Sequence, residues 1–278
     1  MFSKVFRVGI MVVLAAGCLS AAYETSPTQF KYVPEVIWSG ASGGGTWQTE
    51  VQIMARNDNT TIHLYFFYGG GNFRNITLSS TYDKWDCFKT SNVLQYMGIH
   101  DADYDFYNKV GALWVGGHDS DHRVLVSART WHSNGYAKSI NGISHVDGVV
   151  VNASNTIGAI MNIRKDGSFR TSVACNNLDI YSIEVQFYIM SSNGGYVGEF
   201  TKTFTGWDFQ AFDPFAEAGL TGNYTNHYLY AVYRSGSGDL AVIAASANNA
   251  TNDPAAHTMQ SFIYSAAIFN TASLLCEL

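Results

Sequence analysis

The sequence predicts an all-β protein, two Greek-key-like β-sandwich units in tandem produced by duplication. Three observations carry that expectation. The stretch Gly45-Thr46-Trp47-Gln48-Thr49-Glu50-Val51-Gln52-Ile53 has a diverged second copy, Gly167-Ser168-Phe169-Arg170-Thr171-Ser172-Val173-Ala174-Cys175, 122 positions on (45 to 167). Both copies alternate apolar and polar residues, the two-residue period of a half-buried strand. Finally, the spacing persists: Ile62-His63-Leu64-Tyr65-Phe66 matches Ile183-Glu184-Val185-Gln186-Phe187 after 121 positions, and Trp85-Asp86 matches Trp207-Asp208 after 122.

Composition bounds the rest. With 47% hydrophobic and 14% charged residues the chain can bury a large core and does not read as disordered. The 17 Tyr, 17 Phe and 26 Gly suit an extracellular β protein. A net charge of −6, with 16 scattered basic residues, argues against nucleic acid, which needs clustered cations. Residues 1–22 read as a secretory signal peptide: Lys4 and Arg7 are the charged start, Val8 to Ala16 the apolar run, and Ser20-Ala21-Ala22 the small residues for cleavage. A second reading makes Ala15-Ala16-Gly17-Cys18 a lipoprotein leader, with a lipid on Cys18 as the membrane link. The expected location is the cell surface or the exterior.

In chain order, Pro27 and Pro34 oppose regular structure before Val36. Val36-Ile37-Trp38 opens a strand, and a glycine-rich loop leads to the strand Thr46 to Ala55, with Trp47, Thr49, Val51 and Ile53 on one face. Arg56-Asn57-Asp58-Asn59 reads as a hairpin turn, since Asn and Asp tolerate positive φ. Thr60 to Tyr68 is its expected partner strand, and Phe73 to Ser80 the next. Ser91 to Gly98 is the best helix, capped by Ser91 or Asn92 and stopped at Gly98. Gly111 to Gly117 and Arg123 to Trp131 are expected to form a hairpin, as are His227 to Tyr233 and Leu240 to Ala247 in the second half. Residues 132–148 read as a turn-rich joint, dividing unit 1 (33–148) from unit 2 (149–260). The apolar segment 261–278 follows, as a last strand or a partner-binding tail.

Sites are harder to read. There is no phosphate loop, dinucleotide fingerprint, H-E-x-x-H or C-x-x-C. Gly40-Ala41-Ser42-Gly43-Gly44 fits G-x-S-x-G, but a β run follows where a nucleophile elbow needs a helix. His118, Asp119, Asp121 and His122 are a candidate transition-metal group, against the reading of a polar turn. The alternating Asp101, Asp103 and Asp105 suggest calcium, yet the loop lacks the Gly and Glu such a site needs. Asp83, Asp86, Asp208 and Asp213 are imaginable glycosidase acids, but Asp86 and Asp208 are repeat counterparts, which suits shared loop structure better than an acid and its partner. Trp114 and Trp131, which lack aromatic counterparts in the second half, are candidate sugar-stacking residues if exposed, and core fillers otherwise. Cys87 and Cys175 are a candidate disulfide; the competing reading makes Cys175, the counterpart of Ile53, a buried apolar residue.

These residues also carry a resemblance. Trp47-Gln48-Thr49-Glu50-Val51, Gly111-Ala112-Leu113-Trp114-Val115, Ser127-Ala128-Arg129-Thr130, and Ala244-Ala245-Ser246 followed by Asn249, Thr251, Asp253 and Pro254 resemble motifs of secreted bacterial β-sandwich proteins, mostly without assigned activity. Ser127-Ala128-Arg129-Thr130 has one Ala more than that group's S-R-T. Across residues 33–256 the resemblance implies fold and export, and no catalytic residues. The expected function is a non-catalytic extracellular structural or adhesion protein, a subunit of a surface assembly that binds itself, a surface protein or a polysaccharide. The alternatives are a carbohydrate-binding module and a metal-dependent hydrolase.

Overall fold

The computed structural model describes residues 30–41, 44–118, 123–135, 137–141, 143–144, 150–154, 157–250, 254–258 and 260–262. The signal segment, Cys18, Cys276 and residues 263–278 lie outside them. Within them the chain is mostly strand, arranged in antiparallel sheets. The first half holds β1 (Phe30–Gly40), β2 (Thr46–Ala55), β3 (Thr60–Phe67), β4 (Phe73–Tyr82), β5 (Cys87–Thr90), α1 (Val93–His100), β6 (Lys109–Gly117), β7 (Val124–His132), β8 (Ala137–Asn141) and β9 (Ile143–Ser144). The second holds β10 (Val150–Val151), β11 (Ile157–Lys165), β12 (Phe169–Asn177), β13 (Ile183–Met190), β14 (Tyr196–Phe204), β15 (Phe209–Phe212), α2 (Pro214–Glu217), β16 (Tyr224–Gly236), β17 (Leu240–Asn248), β18 (Pro254–Thr258) and β19 (Gln260–Phe262).

Pairing follows one scheme in both halves. In the first, β6 lies between β1 and β3, β4 flanks β3, and β9 joins β1; β2 lies between β5 and β7, and β8 flanks β7. In the second, β16 lies between β11 and β13, β14 flanks β13, and β19 joins β11; β12 lies between β15 and β17, and β18 flanks β17. A β1–β2 ladder at Trp38–Gly40 joins the strands of the first half into one nine-stranded sheet, whereas those of the second form two sheets, with β10 pairing β17 in one of them.

Each half closes on its own core. Val51, Ile53, Ile62, Leu64, Phe66 and Leu113 are among the side chains filling the first. Val173, Cys175, Val185, Phe187, Leu229 and Val242 stand in the second. Burying each large apolar side chain stabilises by about 1.5–3 kcal/mol, which sets the inward face of every strand. The alternation in the sequence therefore gives the facing correctly: Thr49, Val51 and Ile53 are buried in β2.

It does not give the pairing. β2 and β3 were expected as a hairpin, as were β6 with β7 and β16 with β17. None of these couples is hydrogen-bonded strand to strand: β16 and β17 lie in different sheets, whereas β2 and β3, and β6 and β7, are separated strands of one nine-stranded sheet, and in each couple the inward side chains meet in one core. Alternation reports which side is buried, and a strand buried against a sheet looks the same as one paired within it. The turns are arches, and Asn side chains satisfy their backbone. Asn57 Oδ1 accepts the N–H of Arg123 before β7, and Asn177 Oδ1 accepts that of Asp239 before β17, both at 3.2 Å.

Three smaller corrections follow. β1 runs through Pro34, because a register shift between Val33 and Val36 makes a bulge that needs no donor there. α1 continues through Gly98 to His100, with Asp101 as its C-cap, whose N–H bonds the Met97 carbonyl; its N-cap is Asn92, one of the two residues expected, whose side chain accepts the N–H of Gln95. The stretch expected as a joint contains β8 and β9.

Candidate functional site

The most elaborate polar and aromatic arrangement is where the halves meet. The outward side of β1, β6 and β3 is aromatic: Phe30, Tyr32, Tyr65, Phe67 and Trp114, with Ala112 among them. It packs on the outward side of β12, β15 and β17, where Ala174, Leu178, Phe209, Ala241 and Ile243 cluster with Tyr32 and Ala112. Trp207 stands at the edge of this seam. Its ring stacks on Phe67 at 5.8 Å and meets Trp114 edge-on at 5.1 Å.

Polar groups fix the register of the seam. Trp114 Nε1 donates to Asn176 Oδ1 at 3.3 Å, and Asn176 Nδ2 donates to the Asp208 carbonyl at 3.0 Å. Asp208 is 5% exposed. Its Oδ1 accepts the Gly70 N–H at 2.6 Å and its Oδ2 accepts Gln210 Nε2 at 2.8 Å. The Gly69-Gly70-Gly71 turn is required here. All three have positive φ, and a Cβ on Gly71 would stand 2.9 Å from the Gly206 carbonyl. Tyr32 contributes a buried hydroxyl with no hydrogen-bond partner, and burial holds its pKa well above the ordinary range.

The sequence candidates fall in different places. Trp114 is half-buried and occupied within the seam, so it offers no free ring to a sugar. Trp131 is half-buried on the outward side of β7, between Gln48 and Ala137 of the adjacent strands. His118 Nδ1 accepts the Thr61 N–H at 3.3 Å. Partial burial, and to a smaller degree the neighbouring His118, lowers the pKa of His63. Asp119, Asp121 and His122 lie outside the described residues, as does Ser42. Among the described residues no three His, Cys, Asp or Glu side chains gather as a metal site. Around the proposed calcium loop, Asp101 stands 4.0 Å from Arg74 and Asp105 Oδ1 accepts the Tyr107 N–H.

Cys87 and Cys175 are not joined. Cys87 is exposed at the start of β5, whereas Cys175 is enclosed in the core of the second half, where burial raises its thiol pKa well above the usual range. The imagined acids are engaged structurally: Asp83 accepts the Asn59 N–H, Asp86 the Asp83 N–H, and Asp213 caps α2 and pairs with Lys165 at 3.0 Å.

Sequence reasoning missed the Trp85 and Trp207 corners as a conformational pair. Both residues have positive φ, 77° and 59°. Ala55 N–H bonds the Asp86 carbonyl as Asn177 N–H bonds that of Asp208, and Asp86 N–H bonds the Asp83 carbonyl as Asp208 N–H bonds that of Thr205. The repeated Trp-Asp dipeptide was the available signal. Trp207 is used in the seam; Trp85 is 52% exposed, with the Arg56 guanidinium 4.7 Å and the Lys84 ammonium 5.3 Å from its ring centre.

No protein-family model matches this chain, and no curated protein sequence matches it. Among solved structures, it is similar to the apo form of the Pleurotus ostreatus lectin, at 9% identity and TM-score 0.20, covering 87% of this chain and 77% of that one. The same lectin in complex with GalNAc gives 10% identity and TM-score 0.18 over 87% and 85% of the two chains. The VP2 subviral particle of infectious bursal disease virus gives 11% and 0.19 over 86% and 73%. Likeness this slight carries no argument about function.

Proposed function

We propose that the chain is a non-catalytic extracellular structural or adhesion protein, a subunit of a cell-surface assembly. In this reading a leader, residues 1–22, precedes two copies of one Greek-key-like sandwich unit, residues 33–148 and 149–260. The recurring strand pairings and the matched Trp corners support the duplication.

One observation carries the functional reading: the halves bind each other through unlike outer faces. A contact between different faces of equivalent units is heterologous, and it leaves one face of each kind unused at the two ends. Such a unit is suited to joining others end to end. The described carboxylates singled out as candidate acids are held by backbone N–H groups or a cation, an arrangement for rigidity rather than proton transfer.

The test is the assembly state of the chain from residue 23 onward, by light scattering and negative-stain microscopy. The expected result is oligomers that grow with concentration. A strict monomer with no surface partner sinks the reading.

A further inference from the structure

The duplication reading gives the unused faces a specific geometry. We propose that the outer face of β13, β16 and β11 receives the Trp85 corner of a second copy of this chain, as the outer face of β3, β6 and β1 receives Trp207 within one chain. The inference rests on the equivalence of the halves and names the contact that would build the assembly.

The donor end is already formed. Trp85 shares the positive φ of Trp207 and the two flanking hydrogen bonds of its corner, although its own N–H bonds the Ala55 carbonyl where that of Trp207 bonds Asp179 instead of the counterpart Asn177. A bulky residue with positive φ is strained, and such strain marks places where function is built in. At Trp207 the ring's burial in the seam offsets it. At Trp85 the ring stands half in water, with Arg56 and Lys84 against it.

The receiving end follows from register. Phe66 and Phe187 are equivalent core residues, so Tyr188 stands where Phe67 does. Across the ladder, Tyr188 pairs with Tyr230 as Phe67 pairs with Ala112, and Gln186 pairs with Val232 as Tyr65 pairs with Trp114. Tyr188 and Val232, both half-exposed, therefore occupy the places of the two rings that hold Trp207. Glu199 lies directly opposite Tyr188 on β14, on the same outward side. Seating Trp85 on Tyr188 brings Arg56 and Lys84 of one copy towards Glu199 of the next, an opposite charge, and towards Arg234, a like charge whose guanidinium donates to the Tyr188 hydroxyl at 3.0 Å.

The surroundings make this contact weaker than the seam. Cys87 stands where the seam has Phe209, and Gln52 where it has Ala174. The association is therefore reversible, salt-sensitive and open-ended.

The experiment uses the chain from residue 23 onward in reducing buffer, so that Cys87 cannot cross-link. Trp85→Asn keeps a residue that tolerates positive φ, and Tyr188→Thr keeps a strand former; circular dichroism verifies folding. Sedimentation should show wild type associating with concentration, and each variant weakened about tenfold or more. The decisive arm mixes the variants. Each retains one intact end, so an equimolar mixture should give a dimer and nothing larger. A mixture that stays monomeric, with both variants folded, overturns the proposal. Both variants associating like wild type would overturn this contact while leaving the assembly reading standing. A monomeric wild type sinks both. Retention of a monomeric wild type on insoluble polysaccharide, lost in Tyr188→Thr, would assign the face to a carbohydrate and overturn the proposal.

Discussion

Thr49 and Thr171 show how one hydroxyl can tie two further strands to its own. Thr49 is fully buried; its Oγ1 accepts the Ile37 N–H at 2.9 Å and shares a hydrogen with Thr130 Oγ1 at 3.0 Å. Thr171 does the same with the Arg164 N–H at 2.9 Å and Ser246 Oγ at 2.9 Å. The β11 backbone is thus held by a hydroxyl from the opposite sheet, and the β1 backbone by one from β2, the strand it pairs with at Trp38–Gly40. Thr49→Val preserves shape but removes the acceptor, leaving a buried N–H and a buried hydroxyl unsatisfied. The expected loss is about 1–3 kcal/mol in urea unfolding. Adding Thr130→Val should cost less than its own single change, because the second hydroxyl has already lost its partner. Both threonines were legible as repeat counterparts on a buried face. That each bonds two other strands was not, since spacing within a strand carries no information about its neighbours.

At the scale of elements, the bulge in β1 has its own lock. Glu35 sits in the register shift beside Pro34, and its Oε1 lies 2.6 Å from Lys138 Nζ on β8. The side chains are only 15% and 5% exposed. A pair this enclosed is costly to break from one side, because the remaining charge stays in a poor environment. Lys138→Met should therefore destabilise by about 3 kcal/mol, and the double change Glu35→Leu with Lys138→Met should recover part of that loss, measured by denaturant unfolding. No spacing rule links residues 35 and 138, and β8 itself lies in a stretch that reads as a joint. Elements with clean alternation, such as β2 and β3, were legible almost to the residue. Their sheet partners were not, because a chain that arches across a core and one that folds back as a hairpin use the same Asn-rich turn chemistry. The seam was hidden for a related reason. Phe67 and Trp114 sit on the outward sides of their strands, where sequence reading expects solvent, and nothing local says that a second half will cover them.

The whole molecule turns on that seam. The two halves have separate cores, and what joins them is the Tyr32, Phe209 and Ile243 cluster with the Trp207 corner. If the seam couples the halves strongly, the chain melts as one cooperative unit. Trp207→Asn tolerates the positive φ and removes the ring from Phe67 and Trp114, a deletion that by analogy with large-to-small core changes costs about 3–5 kcal/mol. That loss falls on the coupling and not on either core. Calorimetry of the variant should accordingly show two transitions, with the calorimetric enthalpy exceeding the van't Hoff value, where wild type shows one. Trp85→Asn is the matched control: the same residue type, positive φ and change, at a ring outside the seam contacts of the described residues. It should leave the single transition in place. One transition in both variants would mean that the apolar cluster suffices to couple the halves, and that Trp207 serves the position of the seam more than its strength.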